Sequence, residues 1–467
     1  MNAPMQSSIA EYRAATVKPP PVKPLWVTFI TFLLPMMGSN VLQSLSGTLN
    51  NVYLGRLIGD HAVAAVSSFF PILFLLISFV IGLGSGASVL IGQAYGADEL
   101  VRVKQVAGTT LTVSVALSLV IAVFGGSFSI SMLHVLGTPP DVMEDATEYA
   151  RVFLFSLPLL FIFIIYTTIV RGVGDAKTPF YALIMSNGIG LLLTPALIQG
   201  WVGLPKLGVA SGAWATVVSF FVTVAWMAIY LLMRRHPLAP DRVLLRHLKV
   251  DWRILKLLLK IGIPSGIQVI QISLSEIAVL SFVNAFGSKA TEAYGVVNQV
   301  ASYVQMPAIS IAIATSVFGS QAIGRGDQTR LGAIVRTGIT LQFIITGALI
   351  VLAYIFSRSV LGLAIRSDDV ADIAEALLRI TLWSYLVYGM AAVLGGTMRS
   401  SGTVIVPTLI SIFAIWGVQV PAAWFLSHRI GLDGVWAAYP VAFIALLGMY
   451  TIFYRVVWRK KKHMRLI

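Results

Sequence analysis

The chain contains no cysteine among its 467 residues, and only 11% of its residues are charged. The first absence excludes disulfides and thiol chemistry. The second excludes an ordinary soluble domain, in which roughly a quarter of the residues carry charge. The chain also lacks a glycine-rich phosphate loop followed by Lys-Ser or Lys-Thr, so ATP is not expected as a direct fuel. No histidine or carboxylate pair lies inside an apolar run, which leaves little material for a metal site, a cofactor site or an acid–base enzyme.

Apolar residues make up 57% of the chain and form runs of about 20 residues, the length that crosses a bilayer. Because lipid cannot satisfy exposed backbone groups, each run is predicted to be an α-helix. The predicted fold class is therefore an all-α polytopic membrane protein with twelve transmembrane helices. The twelve runs are 27–51, 62–86, 106–130, 152–170, 180–200, 210–233, 258–284, 294–318, 332–357, 378–398, 404–427 and 434–457.

An internal repeat relates the two halves of the chain at an offset of 228 residues. The tetrapeptide Gln-Ala-Tyr-Gly at 93–96 recurs as Gln-Ala-Ile-Gly at 321–324, and 321 minus 93 is 228. The frame Arg-x-x-Gly-x4-Pro at 171–179 recurs at 399–407. We interpret both motifs as turns or hinges at helix ends. Because six helices are an even number, the two copies are predicted to be parallel repeats.

The repeat also predicts the domain organisation. A basic segment between the copies opens with prolines and is interpreted either as a plain linker or as carrying a short amphipathic helix at 243–257. The predicted parts are an N-terminal tail (1–26), a six-helix lobe (27–233), the basic linker (234–257), a second six-helix lobe (258–457) and a basic tail (458–467).

The net charge of +14 is distributed unevenly between the predicted loops. About 25 of the 33 Lys and Arg fall on one side of the membrane, whereas acidic clusters at 141–148 and 368–375 fall on the other. This asymmetry argues against a nucleic-acid partner and places both termini in the cytoplasm. We expect a monomeric multi-pass protein of the bacterial inner (plasma) membrane, with membrane lipid and a small organic substrate as partners.

Polar residues form a stripe on the first apolar run and cover roughly 160° of that helix. Such a stripe is expected to face a water-filled cavity, and the alternative is a set of interhelical hydrogen bonds. Its members are Asn40, Gln43, Ser44, Gly47, Thr48, Asn50 and Asn51.

The seventh run carries Gln268, Gln271, Ser275 and Glu276 within about 140° of its circumference. Glu276 is the only acidic residue well inside any run, and no Lys or Arg lies mid-helix to pair with it. A carboxyl group there must be protonated or hold a cation such as sodium. We therefore predict proton or cation coupling at Glu276, opposite the polar first helix. The alternative is a neutral acid that makes one interhelical hydrogen bond.

Further candidates for the cavity lie in three other runs. Asn187 is a lone amide in the fifth run, and Met306 begins a Met-Pro pair that favours either a soft substrate contact or ordinary packing. Trp383, Tyr385 and Tyr388 are candidate lining residues of the tenth run. Aromatic residues of this kind more often belong to a core or to a membrane interface.

A set of short motifs recurs in order along nearly the whole chain: Pro35 and the segments 54–59, 62–66, 92–97, 171–179 and 306–308. In these residues the chain resembles the multidrug and toxic compound extrusion (MATE) family. The resemblance implies two six-helix lobes that form a V around a central cavity. It also implies efflux of organic, often cationic, drugs in exchange for protons or sodium.

The chain departs from the family pattern at its acids. Asn50 stands where much of the family has an Asp in the first helix, and Leu191 stands where a second acid follows the fifth-helix asparagine. The family glutamate of the seventh helix matches Glu276, whereas the acid that some members carry in the tenth helix has no match between Leu378 and Met398. Coupling is therefore expected in the second lobe.

Three functions remain open from the sequence. The first is a cation-coupled antiporter that exports organic cations by alternating access. The second is a flippase or exporter of a lipid-linked or anionic substrate, which would need a basic cavity. The third is a membrane-embedded lipid enzyme, for which the acidic clusters at 141–148 and 368–375 are the available groups.

Overall fold

Twelve long helical segments lie in the part of the chain that the structure describes, as the twelve apolar runs predict. The computed structural model describes residues 24–362, 365 and 367–467, and none of these residues lies in a β-strand. Eleven segments are long and apolar enough to span a membrane, and the twelfth is a pair of helices bent by 42°. They are α1 Leu25–Leu57, α2 Asp60–Gly96, α3 Leu100–Ser127, α4 Met143–Gly172, α5 Lys177–Gln199, α6 Ser211–Met233, α7 Trp252–Asn284, α8 Ser288–Gly324, α9 Thr329–Ile355, α10 Asp368–Thr381 with Ser384–Ser400, α11 Ile405–Ile430 and α12 Leu432–Trp458.

Matched glycines mark the repeat in the backbone. Gly59 and Gly287 precede α2 and α8 with φ of 124° and 96°. Gly174 and Gly402 follow α4 and α10 with φ of 95° and 76°. Side chains other than glycine rarely adopt such angles, so both copies need glycine at the same two turns. Residues 1–23 of the predicted N-terminal tail (1–26) lie outside the described residues.

The two sets of six helices pack by the same plan. In the first set α2 and α3 both pack against α4, and in the second set α8 and α9 both pack against α10. Each set buries its own apolar core, with Phe161 and Leu154 in the first and Trp436 and Tyr385 in the second. The chain is therefore a pair of parallel six-helix lobes.

The lobes meet along a seam in one half of the molecule. We call the end that carries the linker and the last residues of α2 and α8 the linker face. On this side Phe29 and Phe32 of α1 pack against Phe318 of α8, with ring centroids 4.9 and 5.3 Å apart. A side chain at Gly82 of α2 would meet the backbone of Gly262 in α7, at 2.5 Å. The V formed by the lobes is therefore closed at the linker face.

The linker folds onto the first lobe. Asp241 caps a short helix at Arg242–Arg246 by accepting hydrogen bonds from two backbone amides, and Asp251 caps α7 in the same way. The sequence favoured either one amphipathic helix over 243–257 or none. The structure divides this segment because each aspartate starts a separate helix.

Candidate functional site

A narrow polar cavity lies inside the second lobe. Its volume is about 70 Å³, which has room for a few water molecules but is far smaller than the roughly 300–1,000 Å³ of drug-sized sites. Residues from α7, α8, α10, α11 and α12 line it. They are Gln268, Gln271, Ile272, Ser275, Glu276, Gln305, Tyr385, Tyr388, Ser411, Ala414, Ile415, Gln419, Tyr439, Ala442, Phe443 and Leu446.

Glu276 supplies the only carboxylate of this cavity. Its side chain is half-buried, and no Lys, Arg or His of the described part of the chain lies within ion-pair distance of it. A carboxyl group in such surroundings is most stable when it carries a proton or holds a cation. The geometry thus provides an unpaired binding group for a small cation.

Aromatic side chains line the same cavity as Glu276. Phe443 of α12 packs against Tyr385 at 5.4 Å and against Tyr388 at 5.1 Å, measured between ring centroids. Tyr439 packs against the same ring at 6.1 Å and shares a 3.0 Å hydrogen bond with the hydroxyl of Tyr294. This wall excludes most water while keeping several phenol hydroxyls near the cavity.

Oxygen ligands come from the polar face of α7. Gln271 is 4% exposed, and its Nε2 donates to Ser411 Oγ at 2.6 Å. Its Oε1 has no hydrogen-bond partner among the described residues and remains a free acceptor. Carboxylate, amide and hydroxyl oxygens suit hard cations. The described residues hold no cluster of three His, Cys, Asp or Glu that would favour a transition metal.

A π-helical stretch in α11 shapes one side of the cavity. It spans Phe413–Gln419, and it presents Ala414, Ile415 and Gln419 to the cavity. π-Helical turns inside α-helices are frequent at functional sites. Gln419 was not among the residues predicted from the sequence, and the structure shows that it is buried. Its polar amide within the apolar run 404–427 is the sequence signal that could have indicated it.

An arginine reaches the end of the cavity nearest the linker face. Arg399 Nη2 donates to Gln268 Oε1 at 3.1 Å, and Gln268 Nε2 lies 3.5 Å from the Tyr450 hydroxyl. The sequence assigned Arg399 only to the turn after the tenth run. It could not show that the long side chain would extend back to α7.

The predicted cavity residues of the first lobe lie elsewhere. Asn40 Nδ2 donates across the seam to Ser310 Oγ at 3.0 Å, and Asn187 Nδ2 donates to the carbonyl oxygen of Leu42 at 2.9 Å. Both amides therefore make interhelical hydrogen bonds, which for Asn40 was the alternative interpretation of the polar stripe.

Gln43 and Asn50 of the polar stripe are not among the residues that line the cavity of Glu276. Gln43 is exposed, and Oδ1 of Asn50 is 3.3 Å from the position that a Cβ on Gly212 of α6 would take. The side chain of Asn51 lies outside the described part of the structure. Met306 is half-buried in α8, but the cavity is lined by its neighbour Gln305.

Glu276 faces its own lobe rather than the polar first helix. It shares the cavity with tyrosines of α10 and α12 and with the polar side chains of Ser411 and Gln419 in α11. The seam contacts of α1 lie nearer the linker face, at Phe29, Phe32 and Asn40. Because the lobes diverge beyond that half, α1 does not complete the site.

In the acidic cluster at 368–375 the carboxylates form ion pairs at the surface, and in the cluster at 141–148 Asp141 Oδ2 lies 3.7 Å from His61 Nδ1. Asp369 pairs with Lys289 at 2.6 Å, and Arg358 pairs with Asp372 and Glu375 at 3.3 and 3.2 Å. These side chains are largely exposed except for Glu375. Paired surface carboxylates do not form an enzyme site of the kind that the third hypothesis requires.

Comparison with known proteins identifies relatives over almost the whole chain. The MatE family model matches twice, at residues 35–196 and 264–425, so the second match begins 229 residues (264 minus 35) after the first. The chain is 51% identical over 445 residues to "Probable multidrug resistance protein YoeA" of Bacillus subtilis, covering 95% of this chain and 96% of that protein. It is 23% identical over 409 residues to "Probable multidrug resistance protein NorM" of Thermotoga maritima, covering 87% of each chain.

Solved structures share the fold. One described as the outward-facing conformation of a multidrug resistance MATE family transporter superposes with a TM-score of 0.84 at 23% identity, over 92% of this chain and 95% of the other. A MOP superfamily transporter from Pyrococcus furiosus, described as having a binding pocket of reverse polarity, superposes with a TM-score of 0.83 at 23% identity, over 93% and 96%. The chain therefore shares its overall fold with both solved structures.

Proposed function

Because this chain belongs to the MatE family and is a transporter rather than an enzyme, we propose that it exports organic, cationic compounds in exchange for protons or sodium ions. The printed names of its relatives, which refer to multidrug resistance and multidrug export, support the efflux role. The observation that carries the coupling mechanism is Glu276, a carboxylate without a basic partner in a narrow cavity inside the second lobe.

The proposed mechanism uses competition at Glu276. A proton or a sodium ion neutralises the carboxylate and fits a cavity of about 70 Å³. A cationic drug neutralises the same charge but needs a wider form of the lobe, so one occupant excludes the other. An ion gradient can then bias the lobes between two openings, since a ligand shifts an equilibrium by its difference in affinity for the two states.

The orientation of the molecule follows the distribution of basic residues. The linker and the tail at 458–467 carry the heaviest clusters of Lys and Arg, so we assign the linker face to the cytoplasm of a bacterial cell. The seam described above then closes the transporter toward the cytoplasm. We further propose that the working unit is a monomer.

The direct test is Glu276→Gln in proteoliposomes, with ethidium as the cationic probe. The amide keeps the size of the side chain but cannot bind a proton or neutralise a cation. We expect ethidium export driven by a pH gradient, or by a sodium gradient, to fall to the level of protein-free vesicles. Comparing the two gradients with the unmodified protein identifies the coupling ion.

Glu292→Gln is the matched control. Glu292 is an exposed carboxylate of α8 outside the cavity, so its removal changes the net charge equally and should leave export unchanged. Export by the Glu276→Gln protein at the unmodified rate, with equal amounts in the membrane, would falsify coupling at this residue.

A second candidate function is export of an anionic or lipid-linked substrate. The contact between Arg399 and Gln268 favours it, because it brings a guanidinium to one end of the cavity. Under this function an anionic dye would be moved, Arg399→Gln would abolish its movement, and Glu276→Gln would leave it intact. Export of ethidium but not of the anionic dye supports the first function instead.

A further inference from the structure

An apolar groove lies on the outer surface of the first lobe, beside the linker. We call it the linker groove. Its volume is about 550 Å³. This lies within the roughly 300–1,000 Å³ of sites that bind drug-sized molecules. Helices α3, α4 and α6 form its floor, and the linker forms one wall. Its lining residues are Leu111, Thr112, Val115, Ala116, Leu119, Ile162, Tyr166, Val224, Ala228, Pro240, Leu244, Leu245 and Leu248.

The linker wall is held in place by specific contacts with α3. Lys104 forms an ion pair with Asp241, which also caps the short helix of the linker. Thr109 Oγ1 donates to the carbonyl oxygen of Lys249 at 3.2 Å and accepts from the Asp251 amide at 3.3 Å. Gly108 leaves room for the His247 carbonyl where any side chain would collide. The groove is therefore a built feature of the first lobe.

The interior of the linker groove offers no free hydrogen bond. The Tyr166 hydroxyl donates to the Leu238 carbonyl at 2.6 Å, and Thr112 Oγ1 donates to the Gly108 carbonyl at 2.9 Å. The other lining residues are apolar. An occupant that gains from this surface must be a hydrocarbon, since a polar solute would lose its hydrogen bonds to water without replacement.

Basic residues lie on the linker next to the residues that form the wall of the linker groove. Arg235, Arg242 and Arg246 are exposed, and none lies within ion-pair distance of a carboxylate in the described part of the chain. Asp241 is the one acidic residue between positions 235 and 246, and its charge is already paired with that of Lys104. Uncompensated guanidinium groups beside a membrane attract anionic headgroups.

We propose that the linker groove binds an anionic phospholipid of the leaflet at the linker face. One acyl chain lies along α3 and α6, and the headgroup phosphate contacts Arg242 and Arg246. This arrangement satisfies the two halves of the site with one molecule, because the hydrocarbon floor and the basic residues of the linker are adjacent. The bound lipid joins the linker to the first lobe, independently of what the transporter exports.

The test uses the full chain in phosphatidylcholine nanodiscs doped with phosphatidylglycerol that carries a photoreactive diazirine on one acyl chain. We expect cross-linked peptides to map to 111–119 of α3 and to 224–228 of α6. Excess unlabelled phosphatidylglycerol should compete, and additional phosphatidylcholine should not. The double variant Arg242→Gln/Arg246→Gln should lower labelling at these peptides roughly tenfold or more, as expected for two charges at an anionic surface.

Two further variants separate the charge from the groove. Ala116→Phe places a ring over the floor at an exposed position, so it should reduce labelling with both arginines intact. Arg455→Gln/Arg459→Gln removes two exposed charges from the other lobe and should leave labelling unchanged. Labelling spread evenly over lipid-facing helices, or unchanged in Arg242→Gln/Arg246→Gln, overturns the proposal. So does a dimer in native mass spectrometry that Ala116→Phe dissociates, because a second copy would then be the occupant.

Discussion

Gln93 and Gln321, one in each repeat, make the same contact across the seam in opposite directions. Gln93 Nε2 donates to the carbonyl oxygen of Ser400 at 2.8 Å, and Gln321 Nε2 donates to that of Gly172 at 3.3 Å. Both pairs of positions differ by the repeat offset of 228. The motif that was interpreted as a turn therefore also joins the two lobes through a symmetric pair of hydrogen bonds. We call this pair of hydrogen bonds the clasp.

Gly96 and Gly324 allow this clasp to close. A Cβ at either glycine would overlap the backbone carbonyl of the opposite glutamine. We expect Gly96→Ala and Gly324→Ala to open the seam at the linker face, since neither backbone can move away without separating α2 from α8. The measurement is labelling of Ser320→Cys, a buried seam position, by a water-soluble maleimide in detergent-purified protein, where the reagent reaches both faces.

The same labelling experiment has clean controls. The chain has no native cysteine, so the introduced thiol is the only one. Gly332→Ala in α9 adds a methyl group where no atom lies within 4 Å and should not change the rate. Equal rates for Gly96→Ala, Gly324→Ala and Gly332→Ala would show that the seam tolerates separation and that the clasp has no gating role.

The tail at 458–467 crosses from the second lobe to the first. Arg465 Nη1 donates to Glu99 Oε1 at 2.8 Å, and the Leu466 amide donates to Gln93 Oε1 at 2.9 Å. We predict that Arg465→Glu releases the tail, which trypsin should then cleave faster at its lysines. The double reversal Glu99→Arg/Arg465→Glu should restore protection. An exposed ion pair contributes only about 0–1 kcal/mol and is screened by salt. High salt should therefore reduce the difference in cleavage rate between Arg465→Glu and the unmodified protein.

His236 makes the linker sensitive to acid. Burial lowers the pKa of its imidazole, against an opposing pull from Asp175, whose Oδ2 lies 3.8 Å away. The neutral ring accepts a hydrogen bond from the Leu238 amide at 3.2 Å, which protonation removes. The unfolded chain binds the proton more readily than the folded protein does. The contribution of His236 to the free energy of unfolding is therefore fully present above about pH 6.5, and it is lost as the pH decreases through the pKa of the folded state.

The measurement for His236 is the thermal unfolding midpoint as a function of pH. We expect the acid-side decrease of the midpoint to be smaller in His236→Gln than in the unmodified protein. His134→Gln, at an exposed position, should keep the full decrease. If His236→Gln follows the unmodified curve over the whole range, another group is responsible for the acid sensitivity.

Gln342 in α9 is expected to destabilise the folded protein. It is fully buried against Gly389, and neither polar atom of its side chain has a hydrogen-bond partner among the described residues. An unsatisfied buried polar group costs about 1–3 kcal/mol. Gln342→Met keeps the length of the side chain and should raise the unfolding midpoint, whereas Gln43→Met at an exposed position should not. A lower midpoint for Gln342→Met would indicate an essential polar contact, such as a buried water molecule.

The sequence of α7 alone predicted four of the residues that line the candidate cavity. Helical periodicity placed Gln268, Gln271, Ser275 and Glu276 on one face of α7, and all four line the cavity. Periodicity did not indicate which neighbours that face meets. Tyr439 and Gln419 come from helices more than 140 residues later in the chain, and their approach depends on how α11 and α12 pack.

The amino-acid sequence by itself determined the twelve helices and the parallel repeat, because bilayer thickness and backbone hydrogen bonding act on each apolar run locally. Only the tertiary structure decided that Glu276 faces its own lobe, that Arg399 extends to Gln268, and that Gln93 and Gln321 clasp the seam. The rotation of each helix about its axis and the angle between the lobes come from side-chain packing between segments distant in sequence, which no local pattern encodes.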